Sequence, residues 1–224
     1  MSAKLILLTE AIHRILFEMT DQKTIEMIKR WLGSGSIDIF GLPFAGKDDQ
    51  AQRLIDVLGG TKLSSGEIFR NSQISAELQA TINAGILAPS DTFVRTVLPY
   101  LSRPELQGQN LILSSVGRWE GEEVGVMQAL NEANHPLKAV IFLDISRDDA
   151  LTRLHKSKEL SDRGDRDDDD ENALITRFKE FETKTLPVIN HYRELGLLME
   201  IDATQSREVV HAHILSALAE RAKS

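Results

Sequence analysis

Seven residues, Gly41, Leu42, Pro43, Phe44, Ala45, Gly46 and Lys47, have the spacing G-x-x-x-x-G-K and could hold a polyphosphate. In such a loop the glycines let backbone N–H groups converge on an anion, and the following helix adds partial positive charge. Lys47 would then reach the terminal phosphates. The general motif next offers a hydroxyl to a metal ion, but this chain has Asp48 and Asp49. Three readings of these carboxylates are open: they cap the helix that the loop opens, one of them ligates Mg²⁺, or catalysis has been lost.

A loop of this kind needs a strand before it and a helix after it. "IDIF" precedes the loop, and the apolar spacing after Lys47 predicts a helix. Four further strand-like runs follow: "TKLS" around Leu63, "NLILS" at 110–114, "KAVIFLDIS" at 138–146 and "LLMEIDA" at 197–203. Several are almost continuously apolar, as strands covered on both faces must be. Helix-like segments such as 73–84 and 91–101 lie between them. The expected fold is α/β, a five-stranded parallel sheet flanked by helices, with ligands at the C-terminal strand ends. Ahead of it, Leu8, Ile12, Ile15 and Met19 recur at helical spacing, and Asp21 can cap a second helix carrying Ile25, Ile28, Trp31 and Leu32. Residues 1–36 are therefore expected to form an N-terminal helical extension, and 37–224 the main domain.

Of the 224 residues, 42% are apolar and 27% charged, which fits a globular chain that buries one good core. The formal charge of -8 argues against nucleic acid or an acidic membrane surface as partner. No cysteine is present, which excludes disulfides and thiolate metal sites. The run Leu5–Leu8 is too short for a membrane span or signal segment. A cytoplasmic location is the expectation. Charge is concentrated between Glu159 and Glu171, where eight acidic residues stand against Arg163 and Arg166.

The order of "GLPFAGKDDQAQRL", "LSSGEIFR", "AGILAPSDTFV", "LILSSVGR" and "RGDRDDDDENALITRFKEFETKTLPVINHYRELGLLMEID" resembles the adenylate kinase family of nucleoside monophosphate kinases. The resemblance runs from about Ile37 to the C-terminus. It implies ATP as donor at Gly41, Pro43, Phe44, Ala45, Gly46, Lys47, Asp48 and Asp49, with Arg153 against the donor base. It places the acceptor monophosphate on Arg70 and Arg118, with Ser65, Gly85, Ala88 and Glu122 around the acceptor base. Segment 72–102 would be the acceptor-binding helices, and 156–170 a short lid without zinc. Lys47, Arg118, Arg166 and Arg177 would supply positive charge to the transferring group, and Mg²⁺ would accompany ATP.

Two departures bear on activity. Where the family has D-G-F-P-R, this chain reads Ser114, Ser115, Val116, Gly117 and Arg118, so the aspartate that holds metal-bound water is missing. The expectation is that this carboxylate has moved to the loop, at Asp49. Glu122 replaces a glutamine that reads adenine, and a carboxylate only accepts hydrogen bonds. The resemblance implies transfer from ATP to AMP, giving two ADP. The alternatives are a kinase specific for GMP or another nucleoside monophosphate, a nucleotide-binding module with impaired catalysis, and a kinase of some other small metabolite. A monomer is expected, with dimerisation through the N-terminal helices as the alternative.

Overall fold

The computed structural model describes residues 22–160 and 171–223. Five parallel strands, β1 (Ser36–Gly41), β2 (Thr61–Ser64), β3 (Leu111–Ser114), β4 (Leu137–Asp144) and β5 (Leu198–Asp202), stand in the order β2-β3-β1-β4-β5. The expected α/β class and all five expected strands are present. Every residue of β1 and β3 is buried, which explains why these strands read as continuous rather than alternating runs.

The order places the site. From β1 the chain crosses to one side of the sheet to form β2 and β3, and β4 and β5 lie on the other side. The sheet therefore switches direction at β1, and a crevice opens beyond its C-terminal end. Ile39 pairs with Ser114 and Gly41 with Leu143. The loop leaving β1 and the loop leaving β3 thus rise side by side.

The helices are α1 (Gln22–Leu32), α2 (Lys47–Leu58), α3 (Ser65–Asn71), α4 (Ala76–Asn83), α5 (Ser90–Thr96) and α6 (Glu122–Glu132). They continue as α7 (Arg147–Leu160), α8 (Glu171–Glu180), α9 (Leu186–Glu194) and α10 (Arg207–Lys223). Segment 73–84 yields α4, capped by the Ser75 hydroxyl, which accepts from the Leu78 N–H at 3.2 Å. Segment 91–101 divides into α5 and a 3-10 turn at Leu98–Ser102, in which Pro99 stands at the start. Between α8 and α9 the chain widens into a π turn, Phe181–Thr185, just before Pro187, which has no N–H to continue the regular ladder.

Two hydrophobic clusters hold these layers. The larger joins β1, β4 and β5 to α1, α2, α9 and α10 through Ile28, Leu32, Leu54, Tyr192 and Leu218. The smaller joins α3, α5 and α6 to the outer strands through Phe69, Phe93, Val97, Leu113 and Val126. Helix α1 packs on α10 and α2 and shares the main core, while residues 1–21 lie outside the described residues. No helix among the described residues is long and apolar enough to cross a membrane.

Because Ile28 is fully buried in the main cluster, Ile28→Ala should lower the unfolding free energy by about 2–5 kcal/mol, measured by urea denaturation. A loss below about 1 kcal/mol would mean that α1 contributes little to the core.

Candidate active site

Strand β1 ends where its backbone must approach others closely. A Cβ on Gly41 would lie 2.8 Å from the Leu143 carbonyl oxygen, so only glycine lets the chain turn here. Phe44 in the loop and Ser115 after β3 both have left-handed backbones, with φ of 65° and 53°. Such conformations are costly for non-glycine residues, and both lie where the two loops face each other.

The cavity between the loops is lined by Gly41, Pro43, Phe44, Lys47 and Asp48 on one side. Ser65, Arg70, Gly85, Arg118 and Arg177 line the other. Nine residues read from the sequence as donor or acceptor contacts, together with Arg177, therefore surround one cleft. Lys47 folds back on the loop, its Nζ donating to the carbonyls of Gly41 and Leu42 at 2.9 Å each. Ser65 donates to the Ser115 carbonyl at 2.7 Å and thereby ties the start of α3 to the loop after β3. Gly85 abuts α8: an added Cβ would stand 2.5 Å from the Ala173 carbonyl oxygen and 3.0 Å from Arg177 Cγ.

Several residues stand elsewhere. Ala45, Gly46 and Arg153 do not line the cleft. Arg153 clamps the back of the phosphate loop, donating to the carbonyls of Phe44 at 3.2 Å and Ala45 at 3.4 Å and to that of Ala203. Ala88 and Glu122 line a smaller recess, which shares Ser65 and Arg118 with the cleft. Arg166, with residues 161–170 of the expected lid segment 156–170, lies outside the described residues.

The two carboxylates that follow Lys47 stand in different places. Asp49 accepts from Arg53 Nε at 2.9 Å, lies 3.7 Å from Arg207, and does not line the cleft. These cations hold it on the flank where α2 meets α10. Asp48 does line the cleft, and its Oδ1 accepts from the Ser114 hydroxyl at 3.0 Å. It thus reaches the end of β3, where the strand-end aspartate is missing. Neither carboxylate caps α2, whose N-cap is Gly46 with no side-chain cap bond. Both lie in the first turn, where negative charge is favourable.

Arg118 is fixed from two directions. Its carbonyl accepts from the Thr185 hydroxyl at 3.2 Å, and its N–H donates to Glu122 at 2.8 Å. Desolvation, followed by repulsion from Arg177, lowers its pKa to about 10, and Glu122, Glu180 and Asp38 act in the opposite direction. It therefore stays cationic at neutral pH.

Sequence reasoning missed Glu180, Thr185 and Asp38. Glu180 follows Arg177 by one helical turn, lines the cleft, accepts the Leu87 N–H at 3.0 Å and pairs with Lys184 at 2.6 Å. Asp38 left a legible sign, an acidic residue inside an apolar strand. It is fully buried, and its carboxyl accepts the Val116 N–H at 3.2 Å, under the loop that carries Arg118. Burial pushes its pKa up to about 8, against hydrogen bonds from Val116, Ile39 and Ser115 that lower it. The nearby Tyr192 hydroxyl is buried, has no hydrogen-bond partner among the described residues, and is pushed up by burial and then by Asp38.

With this geometry in hand, comparison with known proteins is decisive. A family model described as adenylate kinase matches residues 39–197. The adenylate kinase of Rhodopirellula baltica is 30% identical over 184 residues, covering 81% of this chain and 94% of that protein. That of Synechococcus sp. strain CC9311 is 33% identical, over 80% of this chain and 96% of its own. That of Mycolicibacterium paratuberculosis is 30% identical, over 80% and 97%. The chain belongs to the adenylate kinase family of ATP-dependent nucleoside monophosphate phosphotransferases.

The raised carboxyl of Asp38 has a consequence for stability. Its pKa is about 8 folded against 3.8 for an ordinary aspartate, so the folded state holds the extra proton between those values. Stability should fall as pH rises through this window, by up to about 1.4 kcal/mol per pH unit from this group alone. Asp38→Asn keeps the shape and does not titrate. Its gain over the unsubstituted chain should therefore be larger at pH 8 than at pH 5, read from urea midpoints, and an equal difference at both values would remove the explanation.

Proposed function

We propose that the cleft transfers the γ-phosphoryl group of ATP to a nucleoside monophosphate, with Lys47, Arg118 and Arg177 supplying positive charge along the path. Arg166 of the lid segment would join them, as the family resemblance implies. The observation that carries this reading is one cleft lined by both a phosphate loop and three arginines, Arg70, Arg118 and Arg177. Such a gathering of cations suits two nucleotides whose phosphates meet.

Phosphoryl transfer needs position and charge more than covalent help. Lys47 and the loop N–H groups would hold the donor phosphates. Arg70 and Arg118 would grip the acceptor monophosphate, and an arginine fork can bond two of its oxygens at once. Arg177 would face the transferring group, and no side chain is required as a general base. AMP is the acceptor that the relatives' name implies.

A magnesium ion fits these residues. Mg²⁺ is commonly held by one or two carboxylates together with substrate phosphates and water. Asp48, already on the Ser114 hydroxyl, supplies such a carboxylate. Among the described residues no three acidic or histidine side chains cluster into a site of their own, so the nucleotide would complete the shell. When bound, the ion would screen the phosphate charge that Lys47 and the arginines also face.

A coupled assay with ATP and each of AMP, GMP, CMP and UMP tests the reading. Arg118→Ala should lower kcat by about 10³ while ATP binding stays within a few fold. Equal losses in both would remove its role on the transferring group. Asp48→Asn should raise the Mg²⁺ concentration for half-maximal activity by about tenfold or more, whereas Asp49→Asn leaves it unchanged. The reverse order would return the metal to Asp49. ATP binding without transfer to any acceptor would favour a nucleotide-binding module, the reading that the acidic residues beside the phosphate loop support.

A further inference from the structure

The loop between β3 and α6, residues 115–121, carries Arg118 and hangs its backbone on acidic side chains. Glu122 accepts the N–H groups of Arg118 at 2.8 Å and Trp119 at 3.0 Å, and Glu123 accepts that of Gly121 at 2.7 Å. Both acceptors belong to α6, the helix that the loop enters. The support at the other end comes from a different element. Asp38, within β1, accepts the Val116 N–H with both carboxyl oxygens, at 3.2 and 3.4 Å. One residue on, the Ile39 carbonyl accepts the Ser115 N–H at 3.0 Å and the Ser115 hydroxyl at 3.3 Å.

These bonds join the two sides of the cleft. Strand β1 runs on from Asp38 to Gly41, where the phosphate loop begins, while Ser115 and Arg118 line the facing wall. A shift at Val116 would therefore move Arg118 relative to the phosphate loop. The bend needs a hold, because the left-handed backbone of Ser115, φ 53°, is costly for a residue other than glycine. Asp38 is fully buried, and a buried carboxyl is less favourable than an apolar side chain unless it is hydrogen-bonded. The Val116 bond is what Asp38 makes here and an apolar residue cannot. We propose that Asp38 is a positioning residue, which holds the Val116 bend from beneath and so sets how Arg118 meets a phosphate in the cleft. The proposal rests on the reading of the cleft as a phosphoryl-transfer site and adds a control on it.

That control depends on charge. Among the described residues, Asp38 faces Arg118 in the loop and Tyr192 on α9, and Tyr192 also faces Glu123 on α6, the partner of His191 at 2.8 Å. Its neighbours on β3 and β4, Leu113 and Val140, do not titrate. Glu122, Glu180 and Arg177 act on Arg118 itself. With its pKa pushed up to about 8 by burial, Asp38 is mostly neutral at pH 7 and serves as a hydrogen-bond acceptor. Once ionised, it becomes a fixed negative charge beneath Arg118, drawing on the guanidinium and repelling a phosphate. Both effects weaken phosphate binding, and by linkage a bound phosphate favours the proton on Asp38.

Calorimetric titration of the full chain with AMP, GMP, CMP and UMP at pH 7 finds the monophosphate that binds tightest, and its affinity is then followed to pH 9. On the unsubstituted chain it should weaken by about three- to tenfold, as one linked proton allows over this range. A monophosphate, with a second pKa of about 6, is already mostly dianionic at pH 7, and Arg118, at about 10, stays cationic. Asp38→Asn keeps an oxygen for the Val116 N–H and does not titrate, so its affinity should change by less than about twofold. Asp38→Val leaves that N–H without its acceptor. Its kcat should fall by about tenfold or more while ATP affinity stays within a few fold, and Asp38→Asn should recover most of the loss. If Asp38→Val does not fold, the two pH profiles decide. The same pH dependence in the unsubstituted chain and Asp38→Asn, a kcat of Asp38→Val within about twofold of the unsubstituted value, or no monophosphate binding would overturn the proposal. The expected difference between the profiles, with no transfer from ATP, would leave the proposal standing and remove the kinase reading.

Discussion

The structure depends on holding like charges together. Arg118 and Arg177 share one cleft, their mutual repulsion helps to lower the Arg118 pKa, and Lys47 and Arg70 line the same walls. A partly desolvated group of cations would spread apart unless its members were tied down and balanced. Glu122 and Glu180 supply the opposing charge, and backbone bonds to Glu122 and Thr185 fix Arg118 itself. A polyphosphate would complete what these carboxylates begin.

The elements around the cleft follow from that requirement. Parallel strands β1 and β3 bring two loops side by side, and the left-handed backbones at Phe44 and Ser115 turn those loops towards each other. The π turn before α9 places Thr185 on the Arg118 carbonyl and Phe181 in the wall. Gly85 lets the segment between α4 and α5 press against α8, which carries Arg177. The end of β3 fits the same pattern: Asp48, in the first turn of α2, reaches Ser114 and brings a carboxylate to the cleft.

Much of this was legible in the residue order. The sheet could be read because buried parallel strands are continuous apolar runs, and the phosphate loop because glycine and lysine spacing reflects a backbone requirement. Other features depend on side-chain direction, which spacing alone does not encode. Asp48 and Asp49 are neighbours on a helix, so they point about 100° apart, and only packing shows that Arg53 and Arg207 draw Asp49 away. Glu122 reads in sequence as a helix-start residue or a base reader. The structure shows it holding the Arg118 loop through two backbone N–H groups and accepting from Ser90 at the start of α5. Asp38 was visible as a polar residue within an apolar strand, but its place beneath the Arg118 loop requires the pairing of β1 with β3.

The cleft is held to take a donor and an acceptor nucleotide at once, with their phosphates meeting among the cations. The most direct measurement is equilibrium binding of a dinucleoside pentaphosphate, which ties the two together, against ATP and the monophosphate alone. One cleft for both should bind the linked ligand about 10²-fold or more tighter than either separate nucleotide. Affinity no greater than that of ATP alone would mean that the cations serve a single nucleotide, and would contradict transfer between two.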